Sequence, residues 1–261
     1  IVVTTYNRNE LLKETINSIL SQTYTNFELI VVDNYSNYDF VNHIKSYNDH
    51  RIIAFQNKNN GIIAVNRNFG IKKSKGEYIA FCDDDDLWMP LKLEKQIYAF
   101  EKNKSAGIVA VGTRIKPTDD TLKFITHSKH DVIIKFEDLF YSKSTALSSI
   151  VINTKQLFNE NKNFIASEDY EYQIRLLKKT GGKLLILKDD LVIYRITNSN
   201  ASMDISKYIN TLNVIEFYKE SLTSKIYFDA MYIANVKIGL KALKLGVPSK
   251  DYFMKSLNFT K

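Results

Sequence analysis

The 261-residue sequence predicts an α/β protein: a mostly parallel sheet flanked by helices, with a helical C-terminal extension. Three observations carry that prediction. Apolar runs of strand length alternate with amphipathic helical patterns over the first 113 residues, separated by short polar loops. One of those runs, Tyr78-Ile79-Ala80-Phe81-Cys82, ends abruptly in four consecutive carboxylates, Asp83 to Asp86. From Ile205 onward the pattern is helical and rich in Tyr, Phe, Ile and Lys.

The chain opens inside an apparent strand, Ile1 to Thr5, without an initiator Met, so residues are expected to precede it. Asn7-Arg8-Asn9-Glu10 has the form of a capping box, with Asn7 as N-cap. It predicts a helix carrying Leu11, Leu12, Ile16, Ile19 and Leu20 on one face. Phe27 to Val32 reads as a buried strand ending in the polar loop Asp33-Asn34-Tyr35-Ser36-Asn37, at the carboxyl edge where open α/β sheets hold ligands. A short helix around Phe40 to Tyr47 and a strand Arg51 to Gln56 complete a βαβαβ half.

After the polar loop Asn57 to Gly61, Ile62 to Lys73 reads as a helix whose Asn66, Arg67 and Asn68 are expected to face solvent. Gly76 ends it, and Glu77 to Cys82 is the strand that delivers the acidic run. Pro90 suits the first turn of the next helix, with Leu91, Leu93, Ile97 and Phe100 as its apolar side. Gly107 to Gly112 is a further strand. Arg114 to Asp131 keeps no period and reads as a flexible or inserted segment. Leu147 to Asn153 reads as a strand, Ser167 as the N-cap of an amphipathic helix, and Lys183 to Leu187 and Leu191 to Arg195 as two last strands. The expected divisions are 1–113, 114–204 within the same domain, and a helical extension 205–261.

With 44% apolar and 12% aromatic residues the chain can bury a sizeable core. Its single cysteine, Cys82, admits no internal disulfide and fits a reducing compartment. A net charge of +7 suits nucleic acid, an anionic membrane or an anionic substrate, and composition does not choose among them. No apolar stretch is long enough to span a bilayer. No G-x-G-x-x-G follows the first strand, which argues against a dinucleotide dehydrogenase.

The acidic run carries the chemistry. Residues i and i+2 of a strand share a face about 6.6 Å apart, so Asp83 and Asp85 point the same way. At about 6 Å and an effective dielectric near 20, such a pair repels by about 3 kcal/mol before screening. A hard divalent cation relieves that repulsion and keeps positions open for substrate phosphates. The alternative is a solvated acidic loop; the buried-looking strand before the run and Trp88-Met89-Pro90 after it favour a metal–diphosphate site.

Thr4-Thr5-Tyr6-Asn7-Arg8, Val32-Asp33, Asn60-Gly61, Arg67-Asn68, Gly76-Glu77-Tyr78, Asp83 to Trp88 and Glu168-Asp169 stand in an order and spacing that resembles family 2 of the inverting nucleotide-sugar glycosyltransferases. The resemblance covers about residues 1–200 and is most specific through Trp88. It implies a glycosyltransferase A fold with an Asp-x-Asp motif, here Asp83-Asp84-Asp85, in which Asp83 meets ribose and Asp85, with Asp83, holds Mn²⁺ or Mg²⁺. Asp84 stands where the family often has a small residue, which leaves the ligand assignment ambiguous by one position, and Asp86 could contribute. Asp33 matches an acid that accepts the N3–H of uracil or thymine, which implies a UDP-sugar, less readily a dTDP-sugar. Where the family usually continues Asp-Gly-Ser, this chain has Asn34-Tyr35-Ser36. Tyr6 matches a stacking aromatic, and Thr5, Asn7, Arg8, Asn60, Arg67 and Asp84 join it as expected donor contacts.

Asp169 inherits the role of general base, with Glu168 beside it in the catalytic pair. Tyr194-Arg195-Ile196-Thr197, followed by Ser199 and Ser202, resembles a segment that often carries a His, replaced here by Thr197; Arg195 either meets phosphate or acceptor or is structural. Processive members carry Gln-x-x-Arg-Trp, whereas Gln173 is followed by Ile174-Arg175-Leu176-Leu177, so a single addition is expected. The implied partners are a UDP-sugar and a glycan or lipid-linked saccharide of bacterial surface polysaccharide or lipopolysaccharide assembly, with no nucleic acid. The implied place is the cytoplasm, peripheral on the inner face of its membrane. Ile226, Tyr227, Ala230, Ile233, Ala234 and Lys237 form a stripe in the tail that suits core packing or homo-oligomer contact, or else an anionic membrane surface. The competing functions are a sugar-phosphate nucleotidyltransferase, disfavoured because no Gly-rich basic loop follows the first strand, and a non-catalytic glycan- or nucleotide-binding module.

Overall fold

The computed structural model describes residues 1–118, 128–141, 144–196 and 205–259. Thr197, Ser199, Ser202 and residues 119–127 of the segment read as an insertion lie outside the described residues. The chain forms two compact units. Unit 1 comprises Ile1–Ile133, Thr145–Phe158 and Gly182–Thr197; unit 2 comprises Ile134–Ser144, Asn159–Gly181 and Asn198–Lys261.

Unit 1 is built on a mixed sheet. Its strands are β1 (Val2–Thr5), β2 (Leu29–Asp33), β3 (Ile52–Gln56), β4 (Ile79–Asp83), β5 (Asp86–Trp88), β6 (Ile108–Pro117), β7 (Val132–Ile134), β8 (Val151–Ile152) and β9 (Lys183–Tyr194). The strand order is β3-β2-β1-β4-β8-β6-β9-β5, with β7 paired to β9. The expected parallel arrangement holds for β3-β2-β1-β4 and again for β6 with β9. Between them β8 runs antiparallel to both β4 and β6. β1 and β2 are buried along their whole length, which is why they read as continuous apolar runs rather than alternating ones. Val3 packs with Leu12 and Ile16 of α1 (Asn9–Leu20). Val2 points to the other face, where α3 (Ile63–Lys73) lies so close that a Cβ added at Gly70 would sit 2.5 Å from Val2 Cγ1. Helices α2 (Phe40–Lys45) and α4 (Lys92–Lys102) complete the cover.

Several local expectations are corrected. α1 has Arg8 at its N-cap and no side-chain cap; Asn7 instead takes φ 54° and accepts a hydrogen bond from the Asn37 N–H at 2.7 Å. Asn66, Arg67 and Asn68 face inward, because Asn68 exchanges two hydrogen bonds with the Phe158 backbone, at 3.0 and 2.6 Å, and Arg67 lies over the Phe158 ring. Pro90 precedes α4 by two residues. β6 continues through Arg114–Pro117, since β9 offers it a parallel partner along its full length. Leu147 to Ser149 is a 3₁₀ turn, leaving only Val151 and Ile152 as strand. The two last strands are one, β9, with bulges where β6 slips register.

Unit 2 is helical: α5 (Glu168–Thr180), α6 (Ile205–Phe217), α7 (Ser224–Lys244) and α8 (Lys250–Leu257). Ser167 stands at the N-cap of α5 as expected, but its hydroxyl pairs with Thr211 of α6 at 3.2 Å rather than capping. Glu171 is fully buried and held by Arg175 at 2.8 Å and the Tyr218 hydroxyl at 2.9 Å. Of the predicted tail stripe, Tyr227, Ala230 and Ala234 are buried within the unit, the packing role. Leu240, Leu243, Met254 and Leu257 are exposed on α7 and α8. No helix among the described residues is long and apolar enough to cross a membrane.

Candidate active site

β1 is followed in the sheet by β2 on one side and β4 on the other, so the chain's direction of winding reverses between β1 and β4. In open α/β sheets, ligands settle in the crevice that such a reversal opens at the carboxyl ends of the strands. Thr5 ends β1 there and Asp83 ends β4.

The four acids divide into different roles. Asp84 turns inward: Oδ2 accepts from the Thr5 hydroxyl at 2.7 Å and Oδ1 from Arg8 at 2.8 Å. Asp85 shares Arg8, at 2.9 Å. Asp83 is the most open of the four and pairs with Arg67 at 2.9 Å. Asp86 is buried, and neither oxygen has a donor in hydrogen-bond geometry; the Ser148 hydroxyl and Arg195 N–H temper its charge without satisfying it, and burial pushes its carboxyl well above the usual range. Burial, and next the Asp83 carboxylate, push Asp85 up to about 6 even with Arg8 in contact. Two guanidinium groups thus face Asp83, Asp84 and Asp85, and a deficit of positive charge remains. Among the described residues no three His, Cys, Asp or Glu groups form a complete metal cage. The donors available are carboxylate oxygens, which fit a hard cation that draws its other ligands from diphosphate and water.

Arg195 fixes this edge from below. Its guanidinium bonds the Asp85 carbonyl, Glu14 at 2.6 Å, the Leu11 carbonyl at 2.9 Å and the Thr15 hydroxyl at 2.9 Å. The structural reading of Arg195 therefore holds. Thr15 meets the Asp84 and Asp86 carbonyls, both at 2.9 Å. Neither Thr15 nor Ser148, which receives the Asp83 N–H at 3.0 Å, carried any sequence signal.

Asp33 is fully buried, and its oxygens accept from the Ser36 N–H and hydroxyl and from Gln56 Nε2 at 2.9 Å. These contacts order the loop from Asp33 to Ser36 around the carboxylate. Tyr35 takes φ 58°, the conformation a glycine would favour, at a strain of about 1–2 kcal/mol. Asn7, Tyr35 and Asn60 all have positive φ in the loops picked out by sequence. Tyr6 is exposed beside them.

In unit 2, Ala166 has φ 61° just before α5, and Asp169 sits half-buried in the first turn, its Oδ1 accepting the Tyr170 N–H at 2.8 Å. Glu168 is buried. Asp169 lines a cavity of about 340 Å³.

The family model Glycosyl transferase family 2 matches residues 1–164. The chain is 27% identical over 242 residues to UDP-Glc:alpha-D-GlcNAc-diphosphoundecaprenol beta-1,3-glucosyltransferase WfgD of Escherichia coli, spanning 92% of this chain and 93% of that one. Its fold is similar to that of S. aureus TarS 1-349 in complex with UDP-GlcNAc, with a TM-score of 0.73 at 17% identity over 99% of this chain and 79% of that one. It is also similar to the mannosyltransferase PcManGT from Pyrobaculum calidifontis in complex with GDP-Man and Mn2+, with a TM-score of 0.67 at 13% identity over 99% of this chain and 72% of that one. The family match sets aside the nucleotidyltransferase alternative.

Proposed function

The chain belongs to glycosyl transferase family 2 and is a glycosyltransferase, and we propose that it moves a single sugar from a UDP-sugar to a hydroxyl of a lipid-linked or other glycan acceptor, inverting the anomeric centre. The observation that supports this reading most is the acidic edge at the β1–β4 crevice, held by Thr5, Arg8, Arg67 and Arg195 and still short of positive charge. The likeness to WfgD, whose name specifies UDP-Glc and a diphosphoundecaprenol-linked acceptor, favours UDP and a lipid-linked saccharide. The setting is surface polysaccharide assembly, peripheral on the inner face of the cytoplasmic membrane.

Asp85 and Asp83 would hold Mn²⁺ or Mg²⁺; a bound ion stabilises charge on the departing diphosphate by several kcal/mol. Asp84, with both oxygens engaged, positions Thr5 and Arg8 rather than ligating. Asp83 and Arg67 suit the ribose side, Tyr6 the base, and Asn7 and Asn60 the loops around them. The acceptor oxygen attacks the anomeric carbon while the bond from that carbon to the diphosphate oxygen breaks, its electron pair leaving with UDP. Asp169 takes the hydroxyl proton, which becomes acidic only as the new bond forms, so a weak base suffices.

The test is UDP release from a panel of UDP-sugars with Mn²⁺ and a GlcNAc-diphosphate-alkyl acceptor. Acceptor-dependent release from at least one UDP-sugar is expected. Tight binding of a UDP-sugar without turnover on any acceptor favours the non-catalytic module, and binding of GDP- but not UDP-sugars overturns the donor assignment.

A further inference from the structure

The cavity of unit 2 is lined by residues of α5, α6 and α7 together with Leu139, Phe140 and Ser144. Phe140, Ile215, Ala230 and Ile238 give it apolar walls, and its charged lining residues are Asp169 and Lys237. Lys237 has no hydrogen-bond or ion-pair partner among the described residues. Lys237 lines the cavity while the residue as a whole is exposed to solvent. Burial lowers its pKa, and no carboxylate is close enough to oppose that shift. One turn on, Lys241 lies 5.5 Å from the ring of Tyr208, another lining residue, and is itself lowered by burial and then by Lys244. A partly desolvated ammonium without a counter-charge, next to two more lysines on the same helix, is a site for an anion.

Resting on the glycosyltransferase reading above, we infer that this cavity receives the acceptor and that Lys237 recognises a phosphate carried by it. The sugar occupies the space that Asp169 also lines, which presents its hydroxyl to that carboxylate, and the apolar walls cover the uncharged remainder. The volume lies at the lower end of small-molecule sites, room for one sugar and a phosphate rather than a long oligosaccharide.

The experiment measures binding to the full chain by calorimetry with three probes: GlcNAc-diphosphate-undecyl, undecyl β-GlcNAc and inorganic diphosphate. The diphosphate-linked saccharide is expected to bind about tenfold more tightly than the neutral glycoside, a difference of about 1.4 kcal/mol, and inorganic diphosphate is expected to compete with it. Lys237→Ala and Lys237→Gln should remove that preference, Lys237→Arg should retain most of it, and Lys225→Ala, on the same helix and paired with Asp229, should leave it intact. Equal affinity for the two glycosides in the wild type, or an undiminished preference in both Lys237→Ala and Lys237→Gln, overturns the inference. UDP binding on the same preparations separates the two readings. A chain that binds no UDP-sugar yet keeps a Lys237-dependent preference loses the donor assignment but not the cavity; one that transfers sugar without the preference loses only the cavity.

Discussion

The two units handle charge in opposite ways. Unit 1 buries acids and bases at the ends of its strands, ties Asp84, Asp85 and Arg195 to partners distant in sequence, and is left with a surplus of negative charge at Asp85. Unit 2 walls a cavity with apolar helix faces and is left with an uncompensated cation at Lys237. A strand end can hold several polar groups in fixed geometry because its neighbours are hydrogen-bonded on both sides. Packed helices offer shape and few fixed donors. The first arrangement suits a nucleoside diphosphate with its cation, the second a less polar molecule with one anionic group.

The sharpest way to test that contrast is to remove one acid from each unit. Asp169→Asn should lower turnover by about 10²-fold or more while leaving UDP-sugar affinity nearly unchanged, with Glu168→Gln less damaging. If Asp169→Asn instead weakens UDP binding, the division of labour between the units is wrong. Asp85→Asn should do the reverse and weaken Mn²⁺-dependent UDP binding by about 10-fold or more, since loss of a mere outer-shell partner at a metal site already costs about 10- to 100-fold. Full activity of chelator-treated protein would remove the metal from this scheme.

A third test concerns charge that unit 1 buries away from its crevice. Lys92 is fully enclosed, bonded to Gln96 at 2.8 Å with its ammonium 3.8 Å from the Trp88 ring centre, and burial lowers its pKa to about 7. The unfolded chain holds that proton to about 10.4. Between those values the unfolded state binds more protons, so stability should rise with pH from about 7 to 10; below 7 both states are protonated and the folded state bears the full burial cost. Lys92→Met should flatten that rise and stabilise the protein at pH 6. An unchanged slope in urea unfolding at pH 6 and 9.5 would mean that Lys92 is hydrated. The smallest effect is expected at Tyr35, whose positive φ makes Tyr35→Gly stabilising by up to about 1 kcal/mol, less the loss of the Lys58 contact with its ring. A lowered melting temperature would show that the ring matters more than the backbone.

Much of this was legible in the sequence because strand alternation and acids at strand ends are local patterns. The alternation through Gly112, the acidic edge and the helix bearing Asp169 emerge where expected. What the sequence hid depends on partners far along the chain. Asn68 reads as a surface residue until Phe158, 90 positions on, meets its amide. Arg114 to Pro117 looks irregular until β9 pairs with it. The cation at Lys237 is one lysine among many in a basic tail, and only the packing of α5, α6 and α7 distinguishes it.

The Arg195 clamp also has a consequence in time. It joins the last strand of unit 1 to Glu14, 181 positions earlier, and holds the backbone carbonyls of the acidic turn. At about 5–20 residues per second, a ribosome needs roughly 6–22 s to synthesise the 110 positions that separate Asp85 from Arg195. Throughout it the nascent chain carries its carboxylates with Arg8 available but without the guanidinium that sets their backbone. A chain stopped before Arg195 should therefore bury β1 to β4 yet leave the acidic turn unset. Pulse-labelled hydrogen exchange on stalled chains would see the amides of Asp84 to Asp86 become protected only after residue 195 has left the exit tunnel, long after those of β1 and β2.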